Sequence, residues 1–295
     1  MAACRPPCSD QIADASSSPG VRNHHRGSHE IDQARAAGPV TESHSQCGVP
    51  CCAPSAVSGS LANCRAVREV GWWNDVCVVL EKERRQVVEY CRRLRRDDLV
   101  VATSGNISVR SGDIIAVTPS GVDYDELTPE LIGLYWLDGA PVEARLEPTT
   151  EMPLHLAVYE QTDARSVVHT HSTAATAVST LVDELPPIHY LIAIFGGPVR
   201  VARYATYGTD ELAAAAVEAL DDRTACILGN HGTVAVGATL REAYTRAVYL
   251  EWLCEVWLRA SAVGRPRLLP PAEIERVQRK ISIYGPSRPQ DQAAQ

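Results

Sequence analysis

The sequence predicts an α/β fold, and three observations carry that prediction. Short apolar runs bounded by Gly and Pro read as strands, the clearest being Ser166-Val167-Val168-His169-Thr170. Stretches with helical periodicity alternate with them, and the two kinds of segment interleave without a clean βαβ repeat. The chain has 295 residues, 45% of them hydrophobic, which suffices for a substantial core in one or two domains.

Residues 1–76 are rich in Ser, Pro, Gly and His, lack sustained periodicity, and are expected to be a disordered extension. Cys4, Cys8, Cys47, Cys51, Cys52 and Cys64 fall here with four histidines, but without paired CxxC knuckles a solvated tail is favoured over a small zinc module. No charged n-region precedes an apolar h-region, so the segment does not read as a secretory signal. A catalytic domain is expected over 77–288 and a flexible tail over 289–295.

Within that domain, Val87, Cys91 and Leu94 recur at i, i+4 and i+7 amid charges, predicting an amphipathic helix over 81–97. Strands are predicted over 113–117 and 133–137, a helix over 150–160, and a buried strand over 166–170. Ala-rich helices follow over 172–180 and 210–220, the second with Thr209 as N-cap. The runs 224–228 and 233–236 should pair as a hairpin across the turn 229–232. Thr239 and Glu242 have the spacing of a capping box that opens a long helix to 260, and 271–281 is a last helix with Tyr284 just beyond it.

A formal net charge of -8 gives no broad basic footprint for nucleic acid, and no apolar stretch is long enough to span a bilayer. Cys77, Cys91, Cys226 and Cys254 lie in apolar periodic segments and read as reduced core residues, which suits the cytoplasm. The chain contains two lysines, Lys82 and Lys280, so a covalent amine mechanism lacks an obvious candidate.

The chemistry-bearing residues begin with His169 and His171, which a strand would project from one face as two adjacent imidazoles. A lone His-x-His more often marks half-buried histidines than a metal site. Here Glu151 lies upstream, and His231 follows the apolar Cys226-Ile227-Leu228 beside Gly232. Three imidazoles and a carboxylate match a catalytic zinc site. Gly105-Asn106, Ser120-Gly121 and Thr149-Thr150 each read alone as a turn or helix cap; together they supply backbone amides and hydroxyls from three loops, as a phosphate requires.

Several ordered motifs then resemble one family. Thr103-Ser104-Gly105-Asn106-Ile107-Ser108, Val117-Thr118-Pro119-Ser120-Gly121, Pro148-Thr149-Thr150-Glu151, Val168-His169-Thr170-His171, Ile188-His189-Tyr190, Tyr204-Ala205-Thr206-Tyr207-Gly208-Thr209 and Gly229-Asn230-His231-Gly232 are similar, in order, to the class II aldolase/adducin family. The resemblance spans roughly 81–284 and points to the branch that cleaves L-fuculose 1-phosphate. It implies a three-layer α/β/α sandwich on a mostly antiparallel sheet, assembled as a homotetramer with sites between subunits. It implies one Zn2+ per subunit on Glu151, His169, His171 and His231, and phosphate binding by Gly105, Asn106, Ser120, Gly121, Thr149 and Thr150. That branch carries serines where this chain has Thr149 and Thr150, which keeps the hydroxyls and alters the pocket's shape.

The implied reaction is a retro-aldol cleavage of a ketose 1-phosphate to dihydroxyacetone phosphate and a small aldehyde. Zinc would act as Lewis acid at the C2 and C3 oxygens, Glu151 would exchange the C3 proton, Tyr190 would handle the C4 hydroxyl proton at a neighbouring subunit's site, and Tyr284 would lie on a segment covering it. A 4-epimerase on the same scaffold typically has aspartate at the position of Glu151. Decarboxylase and dehydratase relatives share the motifs. A non-catalytic adducin-like module is disfavoured by the complete ligand set.

Overall fold

The computed structural model describes residues 73–281, with side chains from 80 onward. The expectations for the segment 1–72, for the side chain of Cys77, for Tyr284 and for the tail 289–295 lie outside the described residues. Helix α1 (Trp73–Arg96) begins before the boundary drawn at 76 from composition, so that boundary falls inside the helix. Its predicted apolar stripe holds: Val87, Cys91 and Leu94 are fully buried.

The centre of the fold is a nine-stranded sheet in the order β4-β3-β2-β1-β5-β9-β8-β7-β6. Its strands are β1 (Asn106–Ser111), β2 (Ile114–Val117), β3 (Gly133–Trp136), β4 (Pro141–Glu143), β5 (Ser166–Thr170), β6 (Glu184–Leu185), β7 (Val199–Ala202), β8 (Ala225–Leu228) and β9 (Gly232–Gly237). Every neighbouring pair is antiparallel except β7 with β8. The helices are α2 (Met152–Gln161), α3 (Thr173–Val178), α4 (Asp210–Leu220), α5 (Leu240–Val263) and α6 (Pro271–Ile281).

Two apolar clusters, one per sheet face, make the sandwich three-layered. Val168, Ile107 and Ala235 face α1, α3 and α5, whereas Val167, Val234 and Val236 face α2 and α4. Neighbouring strand residues point to opposite faces, so β5, covered on both sides, is buried along its whole length. It lies between β1 and β9, in the register Asn106↔His169 and His169↔Val234.

The expected helices over 210–220 and 271–281 agree with the structure, and Thr209 caps α4 by accepting from the Leu212 amide. The expected hairpin is β8–β9, with Leu228 opposite Gly232. At α5, Thr239 Oγ1 accepts from the Glu242 amide, while the Glu242 carboxylate accepts from Ala238 rather than from Thr239. The sequence reading did not identify β1, β4, β6, β7 or the 3-10 turns Pro129–Leu131 and Tyr190–Phe195. Among the described residues, Cys91, Cys226 and Cys254 are free and buried, and no helix is long and apolar enough to cross a membrane.

Candidate metal and substrate site

Four separate stretches of chain meet at one end of β5. His169 is the fourth residue of β5 and His171 follows the strand, so the i, i+2 spacing puts both rings on the same side. His231 lies in the β8–β9 turn, beside Asn230 in the left-handed region at φ 53°. That turn must approach β5 closely: a Cβ on Gly232 would lie 2.1 Å from the Thr170 carbonyl oxygen. Glu151 is the N-cap of α2 and is only 4% exposed.

The distances between these groups suit a cation. His171 Nε2 is 2.9 Å from His169 Nε2 and 3.1 Å from His231 Nε2. Glu151 places Oε2 2.9 Å from His169 Nε2 and Oε1 3.3 Å from His231 Nε2, and all four ligand atoms fall within 4.8 Å of one another. His169 Nδ1 lies 2.9 Å from the Thr233 carbonyl, which can only accept, so Nδ1 carries a proton and the ring turns Nε2 to the cluster. Oε1 of Glu151 is buried and receives no hydrogen bond. Converging lone pairs and an unpartnered carboxylate oxygen are what a bound divalent ion would satisfy, so this donor set fits one.

The electrostatics favour deprotonated ligands. Burial, reinforced by positive charge at His169, pushes His171 down to about 3 and His231 down to about 4. For Glu151, burial alone would raise the carboxyl, but the charge and hydrogen bond of His169, the Asn106 amide and His231 outweigh it and hold the group well below the usual carboxylate range. Metal binding requires these same protonation states.

A cleft of about 360 Å³ opens onto the cluster, and Glu151, His171 and His231 line it. Gly105, Asn106, Ser120, Gly121, Thr149 and Thr150 line it too, so the six residues expected to bind phosphate share a single cavity with Glu151, His171 and His231. Gly105 could hardly be another residue: its φ is +85°, and a Cβ there would lie 2.9 Å from the His169 carbonyl oxygen. Thr149 Oγ1 accepts from the Glu151 amide at 3.3 Å, so this hydroxyl helps shape the start of α2.

Asn106 opens β1 opposite His169 rather than lying in a loop, and its side chain also has partners inside the protein. Its Nδ2 donates to Glu151 Oε2 at 2.9 Å and its Oδ1 lies 2.5 Å from His155 Nε2. Tyr190 begins a 3-10 turn, is 50% exposed, packs on His189, and does not line this chain's own cleft. The sequence reading gave no role to Tyr204, Tyr207, Thr103, Ser104 or Asn230, which also line it; the tyrosines lay in a quoted motif, and two exposed aromatics in one polar segment were the available signal.

Comparison with known proteins agrees with this geometry. The model of the Class II Aldolase and Adducin N-terminal domain family matches residues 85–258. The chain is 38% identical over 211 residues to the 5-deoxy-D-ribulose 1-phosphate aldolase of Bacillus thuringiensis serovar kurstaki, covering 70% of this chain and 99% of the relative. It is 38% identical over 207 residues to the L-fuculose phosphate aldolase of Escherichia coli strain K12, covering 69% and 96%. A solved structure of an L-fuculose 1-phosphate aldolase superposes with a TM-score of 0.66 at 36% identity, covering 68% of this chain and 95% of that one. From the ordered motifs, the sheet and these matches, the chain belongs to the class II aldolase and adducin N-terminal domain family and is a class II aldehyde-lyase.

Proposed function

We propose that the protein is a zinc-dependent aldolase that cleaves a ketose 1-phosphate to dihydroxyacetone phosphate and a small aldehyde. One observation carries this reading: a single cleft is lined both by the His/Glu cluster and by the small polar loops at Gly105, Ser120-Gly121 and Thr149-Thr150. Loops of this kind present backbone amides and hydroxyls to an anion without bulk. The relatives' names suggest two substrates, L-fuculose 1-phosphate and 5-deoxyribulose 1-phosphate, which share the phosphorylated end and a terminal methyl.

A divalent cation held by Glu151, His169, His171 and His231 would supply Lewis acidity to the substrate's oxygens. The protein's own groups manage the phosphate and the protons. The loops anchor the phosphate, fixing which carbons reach Glu151. Tyr190 of a neighbouring subunit takes the C4 hydroxyl proton as the C3–C4 bond breaks and C4 becomes the aldehyde. Glu151 delivers a proton to C3, completing dihydroxyacetone phosphate, and removes it in the synthetic direction. The O4 proton passes from Tyr190 to solvent and Glu151 draws the proton it gives C3 from solvent, so the protons balance.

A homotetramer with sites between subunits fits Tyr190, which is exposed, lies outside its own cleft and packs on His189, whose ring meets the partly exposed Trp252 edge-on. A reducing compartment such as the cytoplasm fits the three buried free thiols. Tyr284, beyond the described residues, is proposed to lie on the covering segment. The extension that precedes α1 is proposed to be unnecessary for catalysis.

The test is to incubate zinc-loaded protein with L-fuculose 1-phosphate, 5-deoxyribulose 1-phosphate and L-ribulose 5-phosphate and to measure dihydroxyacetone phosphate release. Release from either 1-phosphate supports the reading. Epimerisation of the 5-phosphate with no release from the others would replace it.

A further inference from the structure

Behind Glu151 the structure holds a second constellation that none of the proposed chemistry uses. Glu151, His155 and Tyr159 lie at i, i+4 and i+8 from the N-cap of α2 onward, forming one stripe that rises about 6 Å per step. Facing it, Asn106 and Ser108 lie at i and i+2 on β1, about 6.7 Å apart along the strand. The two periods nearly match, so helix and strand side chains interleave. Asn106 Nδ2 is 2.9 Å from Glu151 Oε2, and Asn106 Oδ1 is 2.5 Å from His155 Nε2. His155 Nδ1 is 2.6 Å from Ser108 Oγ, and Ser108 Oγ is 2.7 Å from the Tyr159 hydroxyl. Ser108 and His155 are fully buried, Tyr159 is 2% exposed and Asn106 4% exposed.

The direction of every bond in this chain is forced. An ionised carboxylate only accepts, so Asn106 must turn its N–H to Glu151 and its carbonyl to His155. His155 must then carry its proton on Nε2. Burial pushes this imidazole down to about 3, so it is neutral near pH 7 and Nδ1 is bare. Ser108 therefore donates to Nδ1 and accepts from Tyr159, whose phenol burial keeps protonated. Reversing any member would set two acceptors or two donors face to face inside the protein, where an unmade bond is expensive.

We propose that Asn106, His155, Ser108 and Tyr159 are positioning residues, a one-way hydrogen-bond chain that locks the Asn106 amide and so pins Oε2 of Glu151. Oε1 is left as the oxygen without a protein hydrogen bond, free to face a cation or a substrate proton. The inference rests on the reading of Glu151 as the group that exchanges the C3 proton. It extends that reading by naming what holds the carboxylate while one of its oxygens changes partner. The tautomer of His155 is the part that can be examined without any substrate.

The first measurement is ¹⁵N NMR of the full-length, zinc-loaded protein labelled at histidine, with His155 assigned from its loss in His155→Gln. The expected signal is a neutral ring protonated at Nε2, with slow proton exchange. An Nδ1-protonated or rapidly exchanging ring would overturn the proposal. The second measurement is solvent deuterium incorporation into dihydroxyacetone phosphate. His155→Phe keeps the ring's bulk without the donor, and should slow exchange at least tenfold with KM within threefold of the parent and zinc content unchanged. His155→Gln restores a terminal N–H and should recover to within about threefold of the parent rate.

Exchange in His155→Phe within twofold of the parent, or His155→Gln as slow as His155→Phe, would overturn the proposal. Should His155→Phe fail to fold, Ser108→Ala carries the test, with at least a threefold loss of rate and a mixed His155 tautomer expected; parental values for both would overturn it. If the parent protein neither cleaves a ketose phosphate nor exchanges the proton, the aldolase reading fails alone. The NMR result then decides the positioning chain.

Discussion

Replacing Glu151 with glutamine tests the centre of the proposed chemistry. The residue is 4% exposed, accepts from Asn106 at 2.9 Å, and has its second oxygen 3.3 Å from His231 Nε2. Glutamine has the same shape, and its carbonyl can take the place of Oε2 against the Asn106 amide, so the phosphate loops and the cleft should remain as they are. What disappears is a group able to exchange a proton with carbon at neutral pH. Such acid–base catalysis is worth about 10²–10⁴ in rate, or about 3–5 kcal/mol of activation free energy. Substrate binding, measured as KM or by competition with dihydroxyacetone phosphate, should change far less. The informative assay is deuterium incorporation from solvent into dihydroxyacetone phosphate at saturating zinc, because it isolates C3 deprotonation from carbon–carbon bond chemistry. Glu151→Gln should abolish exchange and cleavage together, whereas Tyr190→Phe should spare exchange and slow cleavage. Exchange within threefold of the parent in zinc-loaded Glu151→Gln would remove Glu151 as the base and leave it a ligand at most.

Three further outcomes follow from the geometry. The double variant His169→Ala, His171→Ala removes two of the converging Nε2 atoms and should lower bound metal from one per chain to near zero by elemental analysis; unchanged content would refute the donor set. In metal-free protein, His155 has a folded pKa of about 3 against an ordinary 6.5, so the unfolded chain binds the extra proton between those values. Stability should therefore fall as pH drops from 6.5 toward 3, by up to about 1.4 kcal/mol per pH unit for this group, and level off below; urea unfolding of the parent and of His155→Gln should show the steeper decline in the parent. Gly232→Ala would place a Cβ 2.1 Å from the Thr170 carbonyl oxygen, so β9 must move away from β5. A loss of about 1–3 kcal/mol is expected, with weaker metal binding as His231 shifts, and an unchanged unfolding midpoint would show that the turn yields freely.

The three histidines of the candidate metal site were legible in the sequence because each obeys a local rule. His169 and His171 have strand spacing at the end of an apolar run, and His231 sits in a turn between two β-rich runs. Strand β5 was equally plain from Val167-Val168 at its centre. Strand β1 was not, since Asn106-Ile107-Ser108-Val109-Arg110-Ser111 alternates polar with apolar, and its polar side faces α2 rather than water. The same concealment hid the role of Asn106, whose partner His155 is 49 residues away. The spacing of Glu151, His155 and Tyr159 was visible, but nothing in one sequence says which strand a helix stripe will meet. Strands β4 and β6 have three and two residues, too short for periodicity to register.

The placement of His169 between two antiparallel neighbours makes the metal site a gauge of assembly. A slip of β5 by one residue against β1 or β9 would turn His169 to the opposite face and break its bond to Thr233. The four ligands span residues 151 to 231 and gather only when β1, β5, β8 and β9 have all paired in one register. Mispaired chains would present at most the local pair of His169 and His171, which holds a divalent ion weakly. Available metal would therefore draw the folding population toward the correctly threaded sheet, and the same centre that equips the enzyme for chemistry would also select among its own folding errors.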